Sequence, residues 1–149
     1  MRVSDIVRRE VPSVREHTVL SHAADALVAS GLGVLPVLDA GGLLVGVVSE
    51  GDVLRFEAGR RSDPTPTARS GPVAYRPDAL VADVMSRHPV TATERQSVEE
   101  IAGLFVRLPW RMLPVVRLGR LVGVVTRTDV VRVLVCPAEP PVPLAGSRR

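Results

Sequence analysis

The chain has no lysine, few aromatic residues and a single cysteine, and each scarcity narrows its chemistry. All 19 basic residues are arginine, and they are scattered without a basic block, which disfavours a general nucleic-acid surface. Aromatic residues make up 3% of the sequence, so the core must consist of Val, Leu and Ala. Cys136 stands alone and the three histidines are far apart, which disfavours a disulfide framework and a Cys/His metal cage.

Membrane and catalytic patterns are also missing. No apolar run approaches the roughly 18 residues of a membrane span, and the first residues lack a signal-peptide hydrophobic region. There is no nucleophile elbow, no phosphate-binding or dinucleotide glycine motif, and no catalytic constellation. We therefore expect a cytoplasmic protein that is not an enzyme, needs no obligatory cofactor or metal, and does not bind membranes.

The sequence does contain an internal repeat. Residues 4–7 (SDIV) align with residues 82–85 (ADVM) at an offset of 78. The run that begins LLVGVVS at residue 43 aligns with RLVGVVT at residue 120, because one residue is lost in a turn. We predict four segments: repeat 1 at 1–57, a Pro/Gly-rich linker at 58–79, repeat 2 at 80–136 and a disordered tail at 137–149.

Each repeat has the same predicted element order, β-α-β-β-α. Apolar residues recur at helical spacing over 19–30, with Thr18 as the N-cap, and over 97–108. Continuous apolar runs such as VLPVL and MLPVV predict strands buried on both faces, and DAGG and RLG predict turns. Because about 57 residues make a thin core, the two repeats should pack sheet to sheet with pseudo-twofold symmetry. The predicted class is α+β with α/β-type repeats.

A Ser/Thr-x-x-Asp motif stands where a buried strand turns into the last helix of each repeat, at Ser49–Asp52 and Thr126–Asp129. The pattern is typical of a capping box, in which the hydroxyl caps the helix and the acid bonds back to the cap. The same groups can hold a nucleotide, since a helix N-terminus attracts phosphate and a carboxylate accepts from ribose hydroxyls. Both roles are compatible and both stay open.

Read in order, D-[IV]-M, P-V-T, L-P-V-V, L-V-G-V-V and [ST]-x-x-D resemble the motifs of CBS (cystathionine-β-synthase) domains, which pair to form a Bateman module. The resemblance covers about residues 3–56 and 80–135, and the sequence departs from it at VRREVPSV and at Leu108-Pro109-Trp110. It implies a stand-alone, non-catalytic regulatory module that binds adenosine ligands in two clefts between the repeats. It also implies a homodimer through helices 97–108 and 127–135, and a regulated protein partner.

The resemblance carries specific residues into each cleft. Cleft 1 would use Ser49, Asp52, Val90, Thr91, Arg111 and Met112. Cleft 2 would use Thr126, Asp129, Ser13, Val14, Gly33, Val34 and Arg127. In this assignment the aspartates bind ribose, the hydroxyls bind phosphate, and Val14, Val34, Val90 and Met112 flank the base. AMP, ADP, ATP and S-adenosylmethionine are the ligands to consider.

Two other functions stay open. The loose first copy and Pro109-Trp110 favour a structural or protein-interaction module with degenerate ligand sites. Nucleic-acid binding would use four arginines of the linker together with repeat 2, and the affinity would depend strongly on salt. The linker arginines are Arg60, Arg61, Arg69 and Arg76.

Overall fold

The computed structural model describes residues 1–62 and 79–136. Two short 3₁₀ turns, Val3–Asp5 and Val81–Asp83, open the two repeats. The first repeat continues with β1 (Val14–Arg15), α1 (Leu20–Ser30), β2 (Val34–Leu38), β3 (Leu44–Ser49) and α2 (Glu50–Ser62). The second contains β4 (Ser86–Arg87), α3 (Val98–Arg107), β5 (Met112–Arg117), β6 (Arg120–Thr126) and α4 (Arg127–Val135). The predicted α+β class with two equivalent repeats is confirmed.

The helix starts differ from the sequence prediction in one place. Helix α3 begins with a capping box, in which Ser97 Oγ accepts from the Glu100 N–H at 3.1 Å. The prediction that Thr18 caps α1 is wrong, because Val19 occupies the N-cap position. The Thr18 hydroxyl instead accepts from the Arg15 N–H at 3.2 Å, so it closes the turn before the helix.

Helix α2 extends beyond the predicted start of the linker. It continues through Ser62, so residues 58–62 are helical. Ala79 is buried, and Leu80 pairs with Val19 of the first repeat. The rest of the predicted linker, residues 63–78, and the predicted tail at 137–149 lie outside the described residues.

Each repeat folds around an antiparallel hairpin, β2 with β3 and β5 with β6. Gly42 (φ +86°) and Gly119 (φ +78°) take the left-handed conformation that the hairpin turns require. The middle residues of these strands are buried, as the apolar runs predicted. The hairpins also meet each other, since the Leu44 N–H donates to the Gly119 carbonyl at 3.0 Å.

The opening segment of each repeat packs against the other repeat. The Val3 N–H donates to the Gln96 carbonyl at 2.9 Å, and Arg8 pairs with Val124 of β6. Reciprocally, the Val81 N–H donates to the Thr18 carbonyl at 2.9 Å, and β4 pairs with β3. We call residues 2–8 and 80–87 the exchanged segments.

The exchange places residues of both repeats in each hydrophobic core. Val3 is fully buried with Ile101 and Phe105 in the core of the second repeat. Val81 and Met85 are buried with the helix and strands of the first repeat. Each hydrophobic core is therefore built from both repeats, and neither repeat of the sequence forms a complete core from its own residues.

The exchanged segments also explain the glycine of the repeated LVGVV run. A Cβ atom at Gly46 would lie 2.6 Å from the Ser86 carbonyl oxygen, and one at Gly123 would lie 2.2 Å from the Arg8 carbonyl oxygen. Real Cβ atoms essentially never approach another atom this closely. Glycine is required at both positions because another backbone crosses there.

None of the helices in the described ranges has the length and apolar character to span a bilayer.

Candidate ligand clefts between the repeats

Both Ser/Thr-x-x-Asp motifs fold as capping boxes. In the first repeat the Asp52 N–H donates to Ser49 Oγ at 3.1 Å, and the Ser49 N–H donates to Asp52 Oδ2 at 2.9 Å. Thr126 and Asp129 make the same pair of bonds, both at 3.2 Å. The Thr126 hydroxyl also donates to Asp129 Oδ2 at 2.7 Å. The capping interpretation is confirmed. The second box differs from the first in that its hydroxyl donates a proton to its own aspartate.

A cavity of about 540 Å³ lies between the repeats beside the first box. Its size is typical of small-molecule sites. The first repeat contributes Ser49 and Asp52, and the second contributes the segment 109–112. The cavity therefore combines a carboxylate and a hydroxyl from one repeat with apolar and cationic side chains from the other.

The residues predicted for cleft 1 divide into two groups. Ser49, Asp52, Arg111 and Met112 line the cavity, and Trp110 lines it as well. Val90 packs against the core of the second repeat, and neither it nor Thr91 lines the cavity. Two residues assigned to cleft 2, Gly33 and Val34, line this cavity instead.

Asp52 is buried, and its carboxylate faces the cavity with movable partners. Its Oδ1 accepts from Arg55 Nη2 at 2.7 Å and from Ser86 Oγ at 3.3 Å. The Arg55 side chain is 75% exposed, so this ion pair contributes at most about 1 kcal/mol. Neither Ser86 nor Arg55 was assigned to the site from the sequence.

The charges around this cavity balance. Glu50 and Asp52 oppose Arg55 and Arg111 among the lining residues. Glu50 is the first residue of α2, and its carboxylate lies close to Gly33. The second repeat has Arg127 at the position equivalent to Glu50. The cavity beside the N-terminus of α2 is thus less positive than the helix end alone would make it.

A smaller cavity of about 310 Å³ lies beside the second box. Among the residues assigned to cleft 2, it is lined by Thr126. Ser13 is exposed, Val14 is buried in the core of the first repeat, and Arg127 is exposed. The lining also includes Arg8, Arg111 and Thr128, which the sequence did not assign to this cleft.

Asp129 does not line that cavity, whereas Arg8, its ion-pair partner, does. The Arg8 guanidinium makes three N–H···O contacts with the Asp129 carboxylate, at 2.7 to 3.1 Å. Burial alone would raise the pKa of Asp129, but hydrogen bonds from Arg8 and Thr126 hold it below its usual value. The hydrogen bond and the charge of Asp129 in turn raise the pKa of Arg8. Asp129 is therefore ionised and already paired.

The CBS domain family model matches the chain twice, at residues 3–59 and 81–136. The chain belongs to the CBS domain family. The CBSX2 protein of Arabidopsis thaliana is 31% identical to this CBS pair over 140 residues, covering 84% of this chain and 59% of that protein. An uncharacterized protein of Methanocaldococcus jannaschii is 25% identical, and there the match covers 89% of this chain and 42% of the relative. The CBS pair thus spans about half the length of these relatives.

Solved structures match the CBS pair over most of its length. The crystal structure of CBSX2 in complex with AMP superposes with a TM-score of 0.73 at 28% identity, covering 90% of this chain and 96% of that one. This chain and CBSX2 therefore share a fold.

Proposed function

We propose that this CBS pair is a non-catalytic regulatory module that binds an adenine nucleotide or related adenosyl ligand in the 540 Å³ cavity. The observation that carries the proposal is the convergence of Asp52 and Ser49 from one repeat with Arg111 and Met112 from the other. The AMP complex of CBSX2, a structural match at 28% identity, supports an adenosine ligand.

The lining residues suit the parts of such a ligand. Asp52 accepts from the two ribose hydroxyls in place of Arg55. The Ser49 oxygen already accepts from the helix, so its proton is free to donate to a phosphate oxygen. Val34 and Met112 supply apolar faces for the base. Arg111 is exposed at the rim and attracts the phosphate.

Regulation follows from the position of the ligand between the repeats. A ligand that contacts both repeats favours the arrangement in which they close on it, and it shifts the population by its difference in affinity for the two arrangements. A protein partner that contacts one arrangement better would sense the ligand.

We infer that the module assembles with a second copy of itself. Val28 and Leu54 are exposed on α1 and α2, and the equivalent Val106 and Val131 are exposed on α3 and α4. An apolar patch on both repeats, repeated by the internal symmetry, suits a homodimer in which helices meet. This arrangement includes the helices that the sequence predicted to be buried in the dimer.

The ligand proposal is tested by titrating AMP, ADP, ATP and S-adenosylmethionine, with Trp110 fluorescence and calorimetry as readouts. Asp52→Asn should weaken AMP binding at least about tenfold, because charge-assisted bonds to ribose are lost. Asp25→Asn, on the exposed face of α1, is the matched control and should bind as the parent does. If none of the four compounds binds, the chain is an interaction module with degenerate sites.

Nucleic-acid binding keeps its separate test. Arg60 and Arg61 lie in the last turn of α2, and Arg69 and Arg76 lie outside the described residues. Binding to DNA or RNA that weakens steeply with salt would favour that function.

A further inference from the structure

The two clefts differ at one pair of equivalent positions. Arg8 and Ser86 align at the 78-residue offset, and each arrives on an exchanged segment. Arg8 pairs with Val124 of β6, and Ser86 pairs with Val47 at the equivalent place in β3. The same backbone therefore delivers a guanidinium to one aspartate and a hydroxyl to the other.

The guanidinium occupies the carboxylate that a ribose would need. Asp129 Oδ1 accepts from Arg8 Nε at 3.1 Å and from Nη2 at 2.7 Å. Asp129 Oδ2 accepts from Arg8 Nε at 2.9 Å, from the Thr126 N–H at 3.2 Å and from the Thr126 hydroxyl at 2.7 Å. A ligand must break charge-assisted bonds before it reaches either oxygen.

The backbone of Arg8 is also anchored to β6. Its N–H donates to the Val124 carbonyl at 2.8 Å, and its carbonyl accepts from the Val124 N–H at 2.9 Å. The adjacent Arg9 pairs with Glu94 of the second repeat at 2.8 Å. Arg55, the corresponding partner of Asp52, makes a single bond from a mostly exposed side chain. The second cleft is closed more firmly than the first.

We propose that each chain binds one adenosyl ligand, at Asp52, and that Arg8 acts as a built-in occupant of the second cleft. This proposal rests on the proposed function and adds the number of ligands bound per chain and the reason for that number. The cavities agree with it, since Asp52 lines the larger one and Asp129 lines neither of the two.

The test is calorimetric titration of the full chain with AMP. The parent and the control Arg95→Ser should each bind one AMP per chain. Arg8→Ser, which copies Ser86, should bind two, and adding Asp129→Asn to it should return the number to one. The control removes the same charge from an exposed residue that lines neither cavity.

The reciprocal change keeps the proposal testable if Arg8→Ser does not fold. Ser86→Arg places a guanidinium beside Asp52 and should weaken AMP binding at least tenfold. A parent that binds two AMP per chain, an Arg8→Ser variant that still binds one, or a folded Ser86→Arg variant with parental affinity would each overturn the proposal. A parent that binds no adenosyl compound would overturn the proposed function itself, which is a distinct result.

Discussion

At the residue scale, the internal symmetry separates backbone roles from side-chain roles. Glu50 and Arg127 begin equivalent helices, and each donates its N–H at 3.0 Å to an equivalent carbonyl, that of Gly33 or Arg111. The backbone contact is the same although the side-chain charges are opposite. The side chain at the first residue of this helix therefore changes the charge of a cleft without changing the backbone geometry around it.

Glu50→Gln should strengthen ATP binding more than AMP binding. Removing one negative charge near the proposed phosphate position is worth about 1 kcal/mol, or roughly fivefold, and acts most on the ligand with more phosphate charge. Calorimetry with the two nucleotides measures the difference. Glu99→Gln, an exposed acid in the first turn of α3, is the control. Equal changes for AMP and ATP would contradict this electrostatic role.

The ion pair between Arg8 and Asp129 should make stability depend on pH. Because the pKa of Asp129 is lowered in the folded state, its stabilisation is present above its unfolded pKa and is lost as pH falls through the folded pKa. Arg8→Ser should lower the free energy of unfolding by about 2 kcal/mol near pH 7 and by less near pH 3. Urea titrations of parent and variant at both pH values measure this. A deficit of constant size would exclude the linkage.

At the element scale, local patterns predict what lies within one segment and miss what crosses between segments. Strands β2, β3, β5 and β6 follow from apolar runs, and the capping boxes follow from their spacing. Strands β1 and β4 are two residues long, so no periodicity identifies them or their partners. The exchange of segments, and with it Arg8 in the second cleft, comes from tertiary pairing that the alignment of repeats does not encode.

Gly123→Ala should destabilise the fold by about 1–3 kcal/mol, because the new methyl group forces the exchanged segment off β6. Gly103→Ala is the matched control, since nothing lies within 4 Å of its Cβ position in α3. The control should gain about 0.5–1 kcal/mol from helix propensity. Thermal or urea unfolding compares the two variants. A Gly123→Ala protein as stable as the parent would show that the crossing is loose.

At the scale of the whole molecule, four exposed apolar side chains lie on helices at equivalent positions in the two repeats: Val28 and Leu54, and Val106 and Val131. Val106→Glu should convert the proposed dimer into a monomer without unfolding it, because Val106 is 86% exposed. Light scattering should change from about twice the chain mass of 16.0 kDa to that mass itself. Leu118→Glu, equally exposed but in a hairpin turn, should leave the dimer intact. A parent that is already monomeric would contradict the dimer.

Each half of the chain completes the hydrophobic core of the other half through its exchanged segment. Val3 completes one core and Val81 with Met85 completes the other, so either half produced alone would lack part of its own interior. If the two halves were synthesised separately, both hydrophobic cores would be complete only after the halves had associated. A single repeat would have to associate with a second copy to complete its core, whereas the tandem arrangement makes the same contact within one polypeptide.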